Sequence, residues 1–402
     1  MRILVADKFE AWGLEQLRGL SDQLVCDPTL SGETLVRKLA EFEPEVLIVR
    51  STRVTSDAVE AARHLSLIIR AGSGVDTIDI EAASRRGVMV ANCPGQNSAA
   101  VAELTVGLLV SLDRRIPDNV SELRAGRWKK KEFSASALGL RGRTLGIIGA
   151  GRIGAEVAKR ALAFDMNVLY YHLGRQLRLV DYPNCRRAEL DDLLRESDVV
   201  TIHVPGGEST SRLIDARRLS LMKPTALLIN TARANVVDES ALLAALRAGK
   251  LRGAALDVYT REPAANADAF EGAADLPPNL YGTHHIGAST EEAQLAVAAE
   301  TVRLVREFRA TGKASNCVNM QRPQRKSMLV VRMRNKPGAL AHVFAVLAER
   351  EINAEEMDHV IYDGGLAAVA HIRVDREPDA KALERIGTGH PNVIGVEMMH
   401  VD

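Results

Sequence analysis

Short apolar runs alternate with helical patterns along the first three-quarters of the chain. Ile3–Ala6, Val46–Arg50, Leu67–Ala71 and Val88–Asn92 read as buried strands, with helix patterns such as Ser56–His64 and Ile80–Arg86 between them. Continuous apolar runs with helical connections predict a parallel sheet covered on both faces. After a long helical stretch, Ser98–Arg114, the rhythm resumes at Thr144–Gly149, Asn167–Tyr171, Val199–Val204, Ala226–Asn230 and Gly253–Val258. A second parallel α/β unit is therefore expected. A helix over Glu291–Arg309 follows. The pattern lapses between Ser315 and Lys326 into Asn, Gln, Arg and Lys around Pro323, which predicts a linker. Beyond it, Met328–Met333, Ala339–Arg350, Ile352–Tyr362, Leu366–Val374, Asp379–Ile386 and Val393–Val401 read as strand, helix, strand, strand, helix, strand. That order is the ferredoxin-like βαββαβ arrangement.

The length of 402 residues suits two to three domains at about 150 residues each. Fifty-two basic residues balance 52 acidic ones, so no field of one sign is available to draw nucleic acid or an anionic membrane. Aromatic residues are 4% of the chain, so the cores are expected to be aliphatic. Cys26, Cys93, Cys185 and Cys317 are far apart, which argues against a disulfide framework and structural zinc. Neither a signal peptide nor a membrane-length apolar run is evident, and a cytoplasmic protein is expected.

Gly149-Ala150-Gly151-Arg152-Ile153-Gly154 follows a predicted strand and opens a predicted helix. Glycines there permit a tight turn and close backbone approach, and a helix N-terminus attracts pyrophosphate, so a dinucleotide site is expected. The acidic residue that should end the next strand and bind ribose hydroxyls is missing. Tyr171 is followed by His172, with Arg175 nearby, while Asp165 comes too early and Asp181 too late. NAD is expected, and the fingerprint leaves NADP open. Further on, Arg233 follows a buried strand, Glu262 comes five residues after Asp257, and His284-His285 precede a turn of small residues. Downstream of a dinucleotide loop, this set suits hydride transfer. A histidine beside a carboxylate is a base for a hydroxyl proton, and a guanidinium grips a carboxylate with two hydrogen bonds.

These pieces occur together with Arg50-Ser51-Thr52, Ala71-Gly72-Ser73-Gly74-Val75-Asp76, the NSAAVAE run from Asn97 to Glu103, His203-Val204-Pro205, Asn230–Arg233, Asp257–Pro263 and His285–Thr290. In that order and spacing the chain resembles the D-2-hydroxyacid dehydrogenase family. The resemblance implies His285 as acid/base, Glu262 as its partner and Arg233 as the catalytic carboxylate-binding residue. For the cofactor it implies Gly149, Gly151, Arg152, Ile153 and Gly154 at the pyrophosphate. Val204, Thr231, Ala232, Asp257 and Ala288 would line the nicotinamide side, with His172 at the ribose position. The family's proline before the catalytic histidine is His284 here. Arg50, Arg70, Ser73, Gly74 and Lys131 are the substrate-binding candidates, Lys131 as part of the basic run Arg127–Lys131 taken as a loop. No metal is implied. The family's chain path implies a substrate-binding domain of residues 1–92 and 285–315, a nucleotide-binding domain of 93–284, a linker of 316–326, and a terminal unit of 327–402.

Arg334-Asn335-Lys336-Pro337-Gly338-Ala339-Leu340 and Glu351-Ile352-Asn353-Ala354 resemble the ACT regulatory module, with Asn335 and Asn353 matching its effector-binding asparagines. Met333 stands where serine-inhibited relatives carry His. Together these features imply NAD-dependent oxidation of 3-phospho-D-glycerate to 3-phosphohydroxypyruvate, the entry to serine synthesis, with L-serine as effector. The chain is expected to be a homodimer or homotetramer, using the helix Ala99–Leu112 and paired ACT modules as interfaces. The alternatives are reduction of hydroxypyruvate or glyoxylate, and a non-catalytic NADH-sensing protein on the same fold.

Overall fold

The computed structural model describes residues 1–172, 184–263, 269–270, 272, 276–320 and 327–400. Two compact units follow one another, Met1–Asn319 and Met320–Asp402. In the first unit, strands β1 (Arg2–Val5), β2 (Gln23–Cys26), β3 (Val46–Val49), β4 (Leu67–Arg70) and β5 (Met89–Asn92) form a parallel sheet in the order β2-β1-β3-β4-β5. Their connections carry helices α1 (Ala11–Leu20), α2 (Gly32–Phe42), α3 (Ser56–Ala61) and α4 (Ile80–Arg85). One face of the sheet packs Leu35, Leu39, Val59 and Ala82, and the other packs Leu17, Val302 and Val305. The latter two belong to α12 (below), so the chain returns late to complete this lobe.

The chain crosses to the second lobe through α5 (Ser98–Arg114), α6 (Ile116–Arg124) and α7 (Lys130–Ser136). Strands β6 (Thr144–Ile148), β7 (Asn167–Tyr171), β8 (Cys185–Arg187), β9 (Val199–Ile202), β10 (Leu227–Asn230), β11 (Gly253–Leu256) and β12 (Leu280–Gly282) build a second parallel sheet, ordered β12-β11-β10-β9-β6-β7-β8. Helices α8 (Arg152–Ala163), α9 (Leu190–Glu196), α10 (Ala216–Leu219) and α11 (Glu239–Arg247) cover it, and α12 (Glu291–Thr311) leads back to the first sheet. The order reverses beside β6, which places the glycine loop at a topological switch point, where open α/β sheets bind ligands.

Several expectations gain detail here. The helix expected at a subunit interface, Ala99–Leu112, packs Ala102, Leu108, Leu109 and Leu112 into the core of its own lobe. The basic run is not all loop. Lys130 and Lys131 open α7, which buries none of its residues. Residues Asn316–Asn319 of the expected linker are laid along β5. Asn92 N donates to Asn316 O, Val318 N to Val90 O, and Val90 N to Asn319 Oδ1. The rest of that linker, residues 321–326, lies outside the described residues, as does Val401 at the end of the last strand.

The second unit is an antiparallel sheet of β13 (Ser327–Arg334), β14 (Ala354–Ile361), β15 (Ala367–Val374) and β16 (Val393–His400), ordered β14-β15-β13-β16. Helices α13 (Ala339–Glu349) and α14 (Ala380–Thr388) supply Val343, Val346, Leu347 and Ile386 to its single core. Met333 is part of that core, so it is not on an open surface where an effector could meet it. No helix among the described residues is long and apolar enough to cross a membrane.

Buried polar chemistry anchors the second lobe at Asp113, whose side chain is 1% exposed. It accepts from Arg143 Nη1 and Arg252 Nη1, both at 3.3 Å, and from the backbone N–H groups of Leu138 and Gly139. Removing a carboxylate from such a site leaves guanidinium charge and amide donors uncompensated. Asp113→Ala is expected to destabilise the first unit by about 3 kcal/mol, read as a lower urea midpoint.

Candidate active site

The glycine loop adopts a form that a β-carbon would obstruct. Gly149 has φ 103°, and a Cβ there would stand 2.6 Å from the His203 carbonyl carbon. At Gly154 it would stand 2.2 Å from Gly149 O, whereas at Gly151 nothing lies within 4 Å. No side chain caps α8, so its N-terminal N–H groups face open space above Gly151. This suits the pyrophosphate of a dinucleotide. Nearby, His203 is half-buried, its Nδ1 is shielded from solvent with no partner among the described residues, and desolvation pushes the imidazole down to about 3. It is therefore a neutral ring, bonded through Nε2 to Thr201 Oγ1 at 2.9 Å.

Around the loop, Val204 and Thr231 are buried, and Thr231 Oγ1 lies 3.0 Å from Thr105 Oγ1. Ala232 N donates to Asn230 Oδ1, and Asn230 Nδ2 donates to Arg233 O, which fixes the turn after β10. His172 directly follows Tyr171, whose carbonyl accepts from Gly149 N at 2.8 Å, so it stands beside the loop. Arg175 and Asp181 lie outside the described residues. Arg152 does more than offer its backbone, because its Nη1 donates to Pro94 O at 2.5 Å in the segment joining the two lobes.

At the other edge of the cleft, the buried Asp257 accepts from Thr283 Oγ1 at 2.6 Å and from Ile286 N and Gly287 N, both at 2.9 Å. These bonds clamp the turn that carries His285, whose φ of 52° is unusual for a residue with a side chain. His285 Nδ1 lies 2.9 Å from Glu262 Oε2, while Glu262 Oε1 accepts from Tyr259 N at 2.9 Å. The hydrogen bond to Glu262, with the charges of Glu262 and Asp257, lifts the imidazole above its ordinary value against burial and Arg233. For Glu262 burial acts upward, but the hydrogen bonds from His285 and Tyr259 N, with the charges of His285 and Arg233, hold the carboxyl below its usual range. His284 lines the same cavity.

Arg233 Nε donates to Asp76 Oδ2 at 2.9 Å, and its Nη1 to Ala232 O at 2.7 Å. Its Nη2 lies against Gly74, where a Cβ would come within 2.0 Å. Arg70 covers Gly72 in the same way. Burial, then the charges of Arg233 and Arg50, weakens its hold on its proton. Asp7 accepts from the N–H groups of Arg50, Ser51 and Thr52, at 2.6, 3.1 and 3.1 Å, and so holds the loop after β3. Ser73 Oγ donates to Asn97 Oδ1 at 2.7 Å.

A cavity of about 830 Å³ lies between the lobes. Of the expected residues, Arg50, Arg70, Glu262, His285 and Ala288 line it, together with Gly72 and His284. Ser73, Gly74 and Arg233 are not among its lining residues. Lys131 is absent from it, because α7 carries that residue on the exterior of the second lobe. Lys8 does line the cavity, as do Phe9, Tyr259 and Phe270. Lys8, Asp7 and Asp76 were missed in the sequence. The signal for Asp76 was its place in the Gly72–Asp76 motif, and for the other two only their position after the first strand. In the second unit, Asn335 and Asn353 are not brought together. Arg334 pairs with Ala367 and Ala354 with Val374, so the two asparagines sit at opposite ends of β15, roughly 24 Å apart along the strand. Asn335 Nδ2 is bonded to Gly365 O. Among the described residues no group of three or more His, Cys, Asp or Glu is placed to hold a metal.

An acid–base pair at the cavity, a guanidinium held at two points and a dinucleotide-type glycine loop are the parts of an oxidoreductase of hydroxy acids. Residues 106–287 match the NAD-binding domain of the D-isomer specific 2-hydroxyacid dehydrogenases. The chain is 37% identical over 383 residues to a D-3-phosphoglycerate dehydrogenase of Methanocaldococcus jannaschii, covering 91% of this chain and 68% of that protein. It is 38% identical over 305 residues to a hydroxypyruvate reductase of Thermotoga maritima, covering 76% of this chain and 97% of that protein. An Aquifex aeolicus D-lactate dehydrogenase solved with NAD and lactic acid superposes with a TM-score of 0.68 at 30% identity, over 80% of this chain and all of that one. The chain belongs to the D-2-hydroxyacid dehydrogenase family and carries its NAD-binding domain. It spans only 55% and 56% of the phosphoglycerate dehydrogenases of Archaeoglobus fulgidus and Synechocystis.

The Glu262–His285 pair makes a direct prediction. In a nuclear magnetic resonance titration the His285 imidazole is expected to titrate above 6.5, and Glu262→Gln to lower its midpoint. An unchanged midpoint would mean that the pair does not form.

Proposed function

We propose that the chain is a D-3-phosphoglycerate dehydrogenase that oxidises 3-phospho-D-glycerate to 3-phosphohydroxypyruvate with NAD. The observation that carries this reading is the set of cations Lys8, Arg50 and Arg70 lining the cavity beside His285 and Glu262. A plain hydroxy acid needs one cation for its carboxylate, and Arg233 already answers that need. The remaining positive charge suits a second anionic group on the substrate.

In this mechanism the substrate carboxylate lies against Arg233 and the backbone of Gly72–Gly74. His285 Nε2 takes the hydroxyl proton as the hydride leaves C2, and it returns that proton in the reverse direction. Glu262 stabilises the imidazolium and, by accepting from Nδ1, keeps Nε2 as the reacting nitrogen. A bound nicotinamide supplies the hydride acceptor. The N–H groups of Arg152, Ile153 and Gly154 would hold its pyrophosphate, Val204, Thr231, Ala232 and Ala288 would line the nicotinamide side, and His172 would serve the ribose. Asp257 uses three of its roughly four acceptor positions on the turn, leaving one for the carboxamide.

In the same reading, residues 1–92 and 285–315 bind substrate, 93–284 bind the nucleotide, and 327–402 regulate. The enzyme is cytoplasmic, in keeping with four free cysteines. It is a homo-oligomer, because α6 and the segment that joins it to α7 leave Ile116, Val120, Leu123 and the 80%-exposed Trp128 on the surface. L-Serine binds where Asn335 of one regulatory unit meets Asn353 of another, which a single chain cannot assemble.

Steady-state reduction with NADH tests the substrate. Preference for 3-phosphohydroxypyruvate over hydroxypyruvate is expected. Lys8→Ala and Arg50→Ala should each raise KM for the phosphorylated acid about tenfold or more while barely changing the plain one. Equal rates on both acids, with equal losses in the variants, would assign the chain to hydroxypyruvate instead.

A further inference from the structure

We propose that Asp76 is a positioning residue, reaching from the first lobe to fix the Arg233 guanidinium with one edge free for the carboxylate of a 2-oxo acid. The proposal rests on the carboxylate-binding role of Arg233 given above and is independent of which 2-oxo acid is used.

Arg233 presents three nitrogens in one rigid plane. Nε is committed to Asp76 at 2.9 Å and Nη1 to Ala232 O at 2.7 Å. Two bonds at separate points of a planar group fix both its position and its tilt. Nη2 has no acceptor among the described residues and lies against Gly74, where only the lack of a side chain leaves room for it. The free edge is therefore the one turned toward the Gly72–Gly74 backbone.

The two anchors come from different lobes. Ala232 follows β10 in the second lobe, and Asp76 follows β4 in the first. The guanidinium thus has its full set of contacts only when the lobes stand together. Asp76 also supplies negative charge to a crowded group of cations, Arg50, Arg70 and Arg233, in which Arg70 feels both other guanidiniums and the opposing pull of Asp76.

A purely structural ion pair is the rival explanation, and the exposure argues against it. The Asp76 side chain is 55% exposed and that of Arg233 33%, and pairs this open to water contribute little to stability. Loss of Asp76 should therefore separate function from folding.

Asp76→Ala, Asp76→Asn and Asp76→Glu in the full chain test this. The readouts are kcat and KM with NADH on 3-phosphohydroxypyruvate and on glyoxylate, the calorimetric affinity for oxalate with NADH present, and the thermal midpoint. Asp76→Ala is expected to lower kcat/KM about tenfold or more on both acids and to weaken oxalate by a similar factor. Asp76→Asn, which keeps an acceptor oxygen, should lose less. All three midpoints should stay within about 2 °C of the parent. Unchanged kcat/KM and oxalate affinity would overturn the proposal, as would losses that follow a fall in thermal midpoint. If the parent reduces glyoxylate but not the phosphorylated acid, the substrate reading fails and Asp76 is still judged on glyoxylate and oxalate. If the parent binds no oxalate, the carboxylate-binding role of Arg233 fails, and the proposal with it.

Discussion

The site depends on one buried carboxylate. Asp257, at the end of β11, receives a hydroxyl and two backbone N–H groups from the turn 283–287, and this holds His285 in a left-handed conformation. Without those bonds a non-glycine residue would favour other backbone regions, and the imidazole would leave the reach of Glu262. The 2.9 Å contact between His285 and Glu262 is thus a consequence of how the strand end grips the turn. Catalytic groups placed by rigid strand ends need little reorganisation when substrate arrives.

The remaining components approach from both sheets. Glycines 72, 74, 149 and 154 each sit where a side chain would meet an arginine or a backbone carbonyl, so the lobes present bare backbone to the cleft. Charged side chains are then laid over that backbone: Arg70 on Gly72, Arg233 against Gly74, Arg152 against Gly95. The Arg233–Asp76 and Arg152–Pro94 contacts join one lobe to the other or to the segment between them. Relative movement of the lobes therefore bears directly on the geometry of the reacting groups.

Much of this was legible in the sequence, for identifiable reasons. Buried parallel strands are uninterrupted apolar runs, so β3, β4, β9 and β10 could be read within two residues of their ends. Three edge strands were not legible: β2 is partly exposed, and β8 and β12 have three residues each, too few to establish a period. Arg233, Glu262 and His285 were found because strand ends and turns punctuate the chain around them. His285 was preferred to His284 because it directly precedes Ile286–Thr290, and its contact with Glu262 is something that sequence spacing does not determine. Lys131 does not line the cavity of its own chain, and a basic run carries no sign of which surface it will occupy. Asn335 and Asn353 match an effector site expected between two such modules, and only the strand register shows them at opposite ends of β15 within one chain. Asp76 escaped notice since its partner is 157 positions away.

The most direct test is deuteride transfer from NADH deuterated at C4 of the nicotinamide to 3-phosphohydroxypyruvate, followed by mass spectrometry in the parent, His285→Ala and His284→Ala proteins. Expected are deuterium at C2 of the product, a fall in the transfer rate of roughly 100-fold or more in His285→Ala, and a rate near that of the parent in His284→Ala. Transfer that survives in His285→Ala but collapses in His284→Ala would contradict the assignment, and a product without deuterium at C2 would contradict hydride transfer itself.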